Sequence, residues 1–223
     1  MAYGIMRHLL ALAIAATAAA VAPPALAVTI VDGEQLTNGI GLDLSGIGTC
    51  ANVGEFGTNV GRFSGSGRPG SGGASCGDRR AVQVKNAQTP FPFGRFNPKG
   101  GPWIDSNDLA SVSWQMNTGI PLTGFSFALV DAHDQPNSHF TFKVDNAVWT
   151  IPTRQANGTL HWITVLFDNP VNTASISIET RLNDGYGISD VKVAPVPLPA
   201  GLALMASGLL VFGALRLRRR PAG

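Results

Sequence analysis

Apolar residues recur at every second position through the middle of this 223-residue chain, and that period decides what it can fold into. Phe125, Phe127 and Leu129 alternate with small partners. Phe140, Phe142 and Val144 alternate with Thr141 and Lys143, and Ala174, Ile176 and Ile178 with Ser175, Ser177 and Glu179. Successive side chains of a strand point to opposite faces, so such segments bury one face and leave the other polar. Further strands are expected over 28–31, 81–85, 109–114, 148–151, 160–167 and 188–193, with turn signals at Asn157-Gly158 and Asn183-Asp184-Gly185. No amphipathic helix stands out among them. The pattern predicts an all-β fold, an antiparallel β-sandwich of jelly-roll-like form.

The two ends read differently. Residues 1–27 have a positive start at Arg7, an apolar run over 9–21 and Ala25-Leu26-Ala27, small residues that suit signal peptidase, so cleavage is expected before Val28. Pro23 and Pro24 break the apolar helix just before that site, which argues against a retained first membrane span. Residues 200–215 carry no charge and would span roughly 24 Å as a helix, just enough to cross a bilayer if Leu198 and Leu217 join. Arg216, Arg218, Arg219 and Arg220 follow at once. Positive residues stay cytoplasmic, which puts the preceding domain on the far side of the inner membrane. A permanent single-pass anchor is one reading of this tail.

The order Val196-Pro197-Leu198-Pro199-Ala200, then an apolar helix rich in small residues, then the arginine cluster, resembles the VPLPA variant of the PEP-CTERM sorting signals. Leu198 stands where the founding pattern has Glu. The resemblance covers about the last 28 residues and implies processing by an exosortase of a Gram-negative bacterium. The helix and the stop-transfer arginines then hold the substrate in the inner membrane only until the tail is removed. The implied destination is the cell surface or extracellular matrix. Three segments follow: 1–27 as signal peptide, 28–194 as ectodomain and 195–223 as sorting signal.

The ectodomain holds all 14 acidic residues but only 11 of the 16 Lys and Arg, a net charge of −3. The basic balance of the whole chain belongs to its ends, and no basic stripe points to nucleic acid. Cys50 and Cys76 are the only cysteines, and in an oxidising compartment such a pair is most simply a disulfide, worth about 3.5 kcal/mol for a loop of this length. A zinc site would need further ligands at suitable spacing. Gly65-Ser66-Gly67-Arg68-Pro69-Gly70 spells a dinucleotide fingerprint without its strand and helix, and Gly73-Ala74-Ser75-Cys76-Gly77 spells a nucleophile elbow in a flexible loop. Neither carries chemistry.

Asp131, His133, Asp134 and His139 could bind metal or move protons, but turn chemistry around Gln135-Pro136-Asn137 explains them as a polar connection between strands. His161, inside a strand, reads as a satisfied structural histidine. The run from Asn183 through Val193, with Asp184-Gly185-Tyr186-Gly187 before Ile188-Ser189-Asp190-Val191, resembles the closing strand of PEP-CTERM ectodomains and of galactose-binding-like jelly rolls. Ser189 replaces the first Asp of the usual pair. Such folds can hold a structural calcium, which makes Asp190 and Glu34 candidate ligands and calcium the one candidate cofactor. Trp103, Trp114, Trp149, Trp162 and Tyr186 could stack on sugars or fill the core, with Trp103, beside Gly100-Gly101-Pro102, and Tyr186 the ligand candidates. The expected role, implied by the family, is structural or interactive in a polysaccharide or biofilm layer, with exosortase and signal peptidase as partners. A carbohydrate-binding module is the alternative and a secreted hydrolase on the 131–139 loop a distant one. No catalytic constellation emerges from the sequence.

Overall fold

The computed structural model describes residues 27–49, 54–66, 82–86, 94–180 and 184–196. The residues expected to form the signal peptide, up to 26, the cysteines expected to pair, Cys50 and Cys76, the expected sorting motif from Pro197 onward and the four arginines expected to stop transfer lie outside them.

Eleven strands are present among the described residues, and every pairing is antiparallel: β1 (Val28–Asp32), β2 (Ile40–Gly41), β3 (Glu55–Thr58), β4 (Gly61–Ser66), β5 (Gln83–Lys85), β6 (Trp103–Asp105), β7 (Ser111–Val130), β8 (Phe140–Val144), β9 (Ala147–Ile151), β10 (Leu160–Thr180) and β11 (Gly187–Pro195). No helix occurs among these residues.

Two strands organise the rest. β7 has 20 residues and β10 has 21, and they pair from Ser111↔Glu179 to Val130↔Leu160. Register shifts on either side of Val171 divide the ladder. Gly119 (φ +75°) and Pro121 sit in the matching stretch of β7 and Pro170 in β10, and proline cannot donate to a ladder. Each strand thus serves two sheet halves. In the first, β3, β4, β7, β10, β8 and β9 lie side by side; in the second, β5, β6, β11, β7, β10 and β1.

The halves meet through the alternating side chains. Trp114 of the first half packs edge-on against Phe125 of the second at 5.0 Å between ring centroids, and Phe142 lies 5.3 Å from Phe127. Phe63, Val112, Trp114, Ile176, Phe127 and Ile188 line one residual gap of about 10 Å³, at the limit of what could hold a water. On the opposite face of the second half, Ser126 and Ala128 are also fully buried. The segment 33–39 lies across them: the Leu36 N–H donates to Ser126 Oγ (3.1 Å) and Thr164 Oγ1 to the Glu34 carbonyl (2.7 Å). The small partners of the Phe125–Leu129 alternation are small because a chain segment crosses them.

Several expectations need correction. The strands expected at 109–114 and from Phe125 onward are one strand, as are those at 160–167 and 174–178. The Gly/Ser-rich stretch after Cys50 contains the β3–β4 hairpin, where Phe56 stacks on Phe63 and Phe63 on Trp114. Gly65 belongs to β4, where a Cβ would come within 2.3 Å of Leu109 Cδ1, so that glycine answers to packing. Trp103 lies in β6 rather than in a loop and is 1% exposed.

Phe125 contacts four aromatic rings drawn from both halves. Phe125→Ala is expected to cost about 3–5 kcal/mol, whereas Leu166→Ala, at a position 42% exposed, costs less than about 1 kcal/mol. Denaturant midpoints of the two variants check this, and equal shifts would contradict a core centred on Phe125.

Candidate functional site

At one pole of the second half β6 and β7 end while β10 and β11 begin. The backbone leaving these strand ends gathers an unusual load of buried polar side chains. Asp105, Asp108, Asp131, Asp134 and Asp184 are each 7% exposed or less, with Arg95, Lys85 and His133 buried among them. Charges removed from water persist only with partners or with a changed protonation state.

Arg95 supplies the first partner. Its Nη1 lies 2.7 Å from Asp105 Oδ1 and 3.2 Å from Asp108 Oδ1. Burial pushes the Asp108 carboxyl up and the guanidinium opposes that push; burial pushes the Lys85 ammonium down while Asp105 opposes it. Gly185 is required beside this group, because a Cβ there would fall 2.1 Å from both Arg95 Nη1 and Asp108 Oδ1.

Asp131 opens the 131–138 connection. Its Oδ1 accepts the Gly158 N–H at 2.7 Å and its own N–H donates to the Thr159 carbonyl at 2.9 Å. Gly94 packs against both, since a Cβ on it would meet Asn157 Oδ1 at 2.1 Å and Asp131 Oδ1 at 2.8 Å. Burial, with Asp134 nearby, pushes Asp131 up to about 7 despite the Gly158 hydrogen bond. His133 Nδ1 donates to the Ile151 carbonyl at 3.0 Å, which fixes its tautomer. Asp134 Oδ1 accepts from Gln135 Nε2 at 2.9 Å. Asp184 faces Asp134 and Ser138, yet neither of its oxygens finds a hydrogen bond of normal geometry; burial and Asp134 push it up to about 7.

The backbone is strained here too. Asn107, Asp108, Asp131, His133 and Asn137 all have left-handed φ between 53° and 68°. Such conformations persist where tertiary contacts over-determine them. The 131–139 segment is a polar connection between β7 and β8 with Gln135, Pro136 and Asn137 exposed at its tip, while its acids and His133 are buried. His139, at the start of β8, is half-buried.

The other sequence-predicted residues are distributed as follows. Trp103 and Tyr186 are 1% and 0% exposed, so neither offers a ring face to a ligand. Trp103 packs on Gly187, and the Tyr186 hydroxyl donates to the Ile178 carbonyl (2.9 Å) while its ring meets Phe140 edge-on. Trp114 is in the core, Trp149 is half-buried against Phe140 and His161, and the Lys99 ammonium sits 4.9 Å from the Trp162 ring centroid. His161 Nδ1 pairs with Asp32 Oδ2 at 2.9 Å, but its buried Nε2 finds no partner among the described residues, so it is only half satisfied.

Glu34 and Asp190 come into one neighbourhood through Gln35, whose Nε2 donates to the Asp190 carbonyl at 3.2 Å. The positive charge beside Asp190 there is that of Lys99 and Lys192, the Glu34 side chain is exposed, and no three acidic, His or Cys side chains converge as a cation site among the described residues. The pair does not fit calcium. Sequence reasoning missed Arg95, Asp105 and Asp108. The available signal was the density of Asp, Ser and Asn at 105–108, directly after the apolar pair Trp103-Ile104.

No family model matches the chain, and no curated protein matches it in sequence. Among solved structures, the CBM22-1–GH10 modules of Clostridium thermocellum endo-1,4-β-D-xylanase 10B, complexed with xylohexaose, are similar over 53% of this chain and 25% of that one, at 9% identity and a TM-score of 0.31. The reading of this chain therefore rests on its own residues.

Removing Arg95 leaves two buried carboxylates without their shared cation. Arg95→Met is expected to destabilise the fold by about 3–5 kcal/mol, and Asp105→Asn combined with Asp108→Asn in that background to recover part of the loss. Chemical denaturation of the two variants beside the wild type checks it; no recovery would mean that Arg95 acts through packing alone.

Proposed function

We propose that the chain is an exported surface protein whose jelly-roll-like sandwich is delivered by exosortase processing of its VPLPA signal, and that it serves as a structural or interaction module of the extracellular polysaccharide layer. The observation that carries this reading is where the last described strand ends. β11 is an interior strand, flanked by β6 and β7, and the last contact of the described chain is the Val196 N–H donating to the Pro121 carbonyl at 2.9 Å. Val196 is also the first residue of the sorting motif. Severing the chain beyond the motif leaves all the described strands intact, as a disposable tail requires.

The polar pole lies at the start of β11 and the exit at its end, nine residues or roughly 25–30 Å away. With the tail held in the inner membrane, the polar pole is the membrane-distal one. The proposed role is non-catalytic. The acids of the 131–139 loop, Asp131 and Asp134, are 3% and 6% exposed, which disfavours a hydrolase built on them. Stacking on sugar rings would need an open aromatic face, whereas Trp103, Trp114 and Tyr186 are buried and Trp162 lies beside Lys99.

Mass spectrometry of the protein recovered from the surface of its host is the test. The mature form is expected to lack the segment from roughly Ala200 onward, and Pro197→Ala with Pro199→Ala to leave export intact while uncleaved protein accumulates in the inner membrane. Recovery of surface protein that still ends in Gly223 would make the tail an ordinary anchor and overturn the sorting reading.

A further inference from the structure

We propose that the buried carboxyl group of Asp184 carries a proton and donates it in a hydrogen bond to the Asp134 carboxylate, which makes the polar pole a latch that tightens on acidification. Asp184 is 1% exposed and neither oxygen has a hydrogen-bond partner, although it faces Asp134 and Ser138. The Ser138 hydroxyl and the Asp134 N–H lie nearest to it without completing a hydrogen bond of normal geometry, and the Ser138 hydroxyl donates to the Gln135 carbonyl at 2.9 Å. A buried carboxylate with neither oxygen in such a bond keeps its place only if a cation or a proton neutralises it.

The charged groups around the pair leave the proton. Arg95 Nη1 is held between Asp105 and Asp108, and the buried Lys85 feels Asp105. His133 donates its Nδ1 proton to Ile151, Arg154 Nε donates to the backbone carbonyl of Asp134, and the Tyr186 hydroxyl donates to Ile178. Asp131, from the same connection, adds a third acid rather than a cation. The acids do not converge as a metal-chelating set among the described residues. With that proton, the Asp184 carboxyl group donates to the Asp134 carboxylate, and two like charges become one. That bond ties the 131–138 connection to the turn entering β11.

The sign of the pH effect follows. Folding raises Asp184, and Asp131 beside it, from the ordinary carboxylate range to about 7. The folded protein therefore holds protons that the unfolded chain releases near pH 4. The stabilisation is fully present below that value and is lost as pH rises to about 7, levelling off above it.

Thermal unfolding of the full chain in detergent, between about pH 5 and about pH 8, reads the latch, and the melting temperature is expected to fall by roughly 5 °C or more across that range. Asp184→Asn keeps a donor for Asp134 without titrating, so the fall should shrink by about half, Asp131 supplying the rest. Asp134→Asn should flatten it likewise, and the double variant no further than either single one. Infrared difference spectra supply a reading that a merely structural role would not move: a protonated-carboxyl band in the wild type near pH 6 that is missing from Asp184→Asn. An unchanged slope in Asp184→Asn, strictly additive single variants, or absence of that band from the wild type would overturn the proton on Asp184. So would calcium raising the wild-type melting temperature near pH 8 but not that of Asp184→Asn, since the neutralising charge would then be a metal ion.

Discussion

The long pairing between β7 and β10 is the constraint on which the rest of the structure depends. Each strand runs through both halves of the sheet, so the facing rings are fixed by one ladder rather than by the docking of separate sheets. Trp114 and Phe125 belong to the same strand, as do Val165 and Ile176, yet each pair divides between the two halves. The ring contacts among Trp114, Phe125, Phe127 and Phe142 add about 0.5–1.5 kcal/mol apiece beyond the area they bury. They form only if the strands turn at the glycine and prolines between the two parts of that ladder. That bend is the price of a core built from both halves.

The same geometry sorts chemistry to opposite ends of the second half. Where β7 stops and β10 and β11 start, backbone arriving from several connections converges, and backbone polar groups withdrawn from water need partners. Asp105, Asp131 and Ser106 supply them: Asp105 Oδ1 accepts the Asn107 N–H, Asp131 Oδ1 the Gly158 N–H and Ser106 Oγ the Tyr186 N–H. The result is a rigid pole that costs desolvation and left-handed backbone yet specifies how the connections are stitched. At the opposite end the last described residue, Val196, donates its N–H to the Pro121 carbonyl.

Much of the fold was legible in the sequence because a period of two is a local signal. Phe140, Phe142 and Val144 declare the buried face of β8 without reference to anything distant. What the sequence concealed is non-local. Gly119 and Pro121 read as the end of one strand, whereas in the structure they bend a strand that continues. Trp103 follows two glycines and a proline and so reads as loop, but pairing of Ile104 with Val84 and Ile188 makes it a strand interior. Asp131 and Asp134 have the composition of a solvated turn. Their burial comes from residues 94–96, 155–159 and 184–186, which no inspection of their neighbours in sequence reveals.

The most direct test of this account is native-state hydrogen exchange resolved to single amides. If β7 and β10 form one ladder, the paired amides of Val112–Met116 with Ala174–Ile178 and those of Phe125–Leu129 with Ile163–Val165 should open with a single, global free energy, and Phe125→Ala should lower both by the same amount. Independent opening of the two sets, with only the second responding to Phe125→Ala, would contradict it.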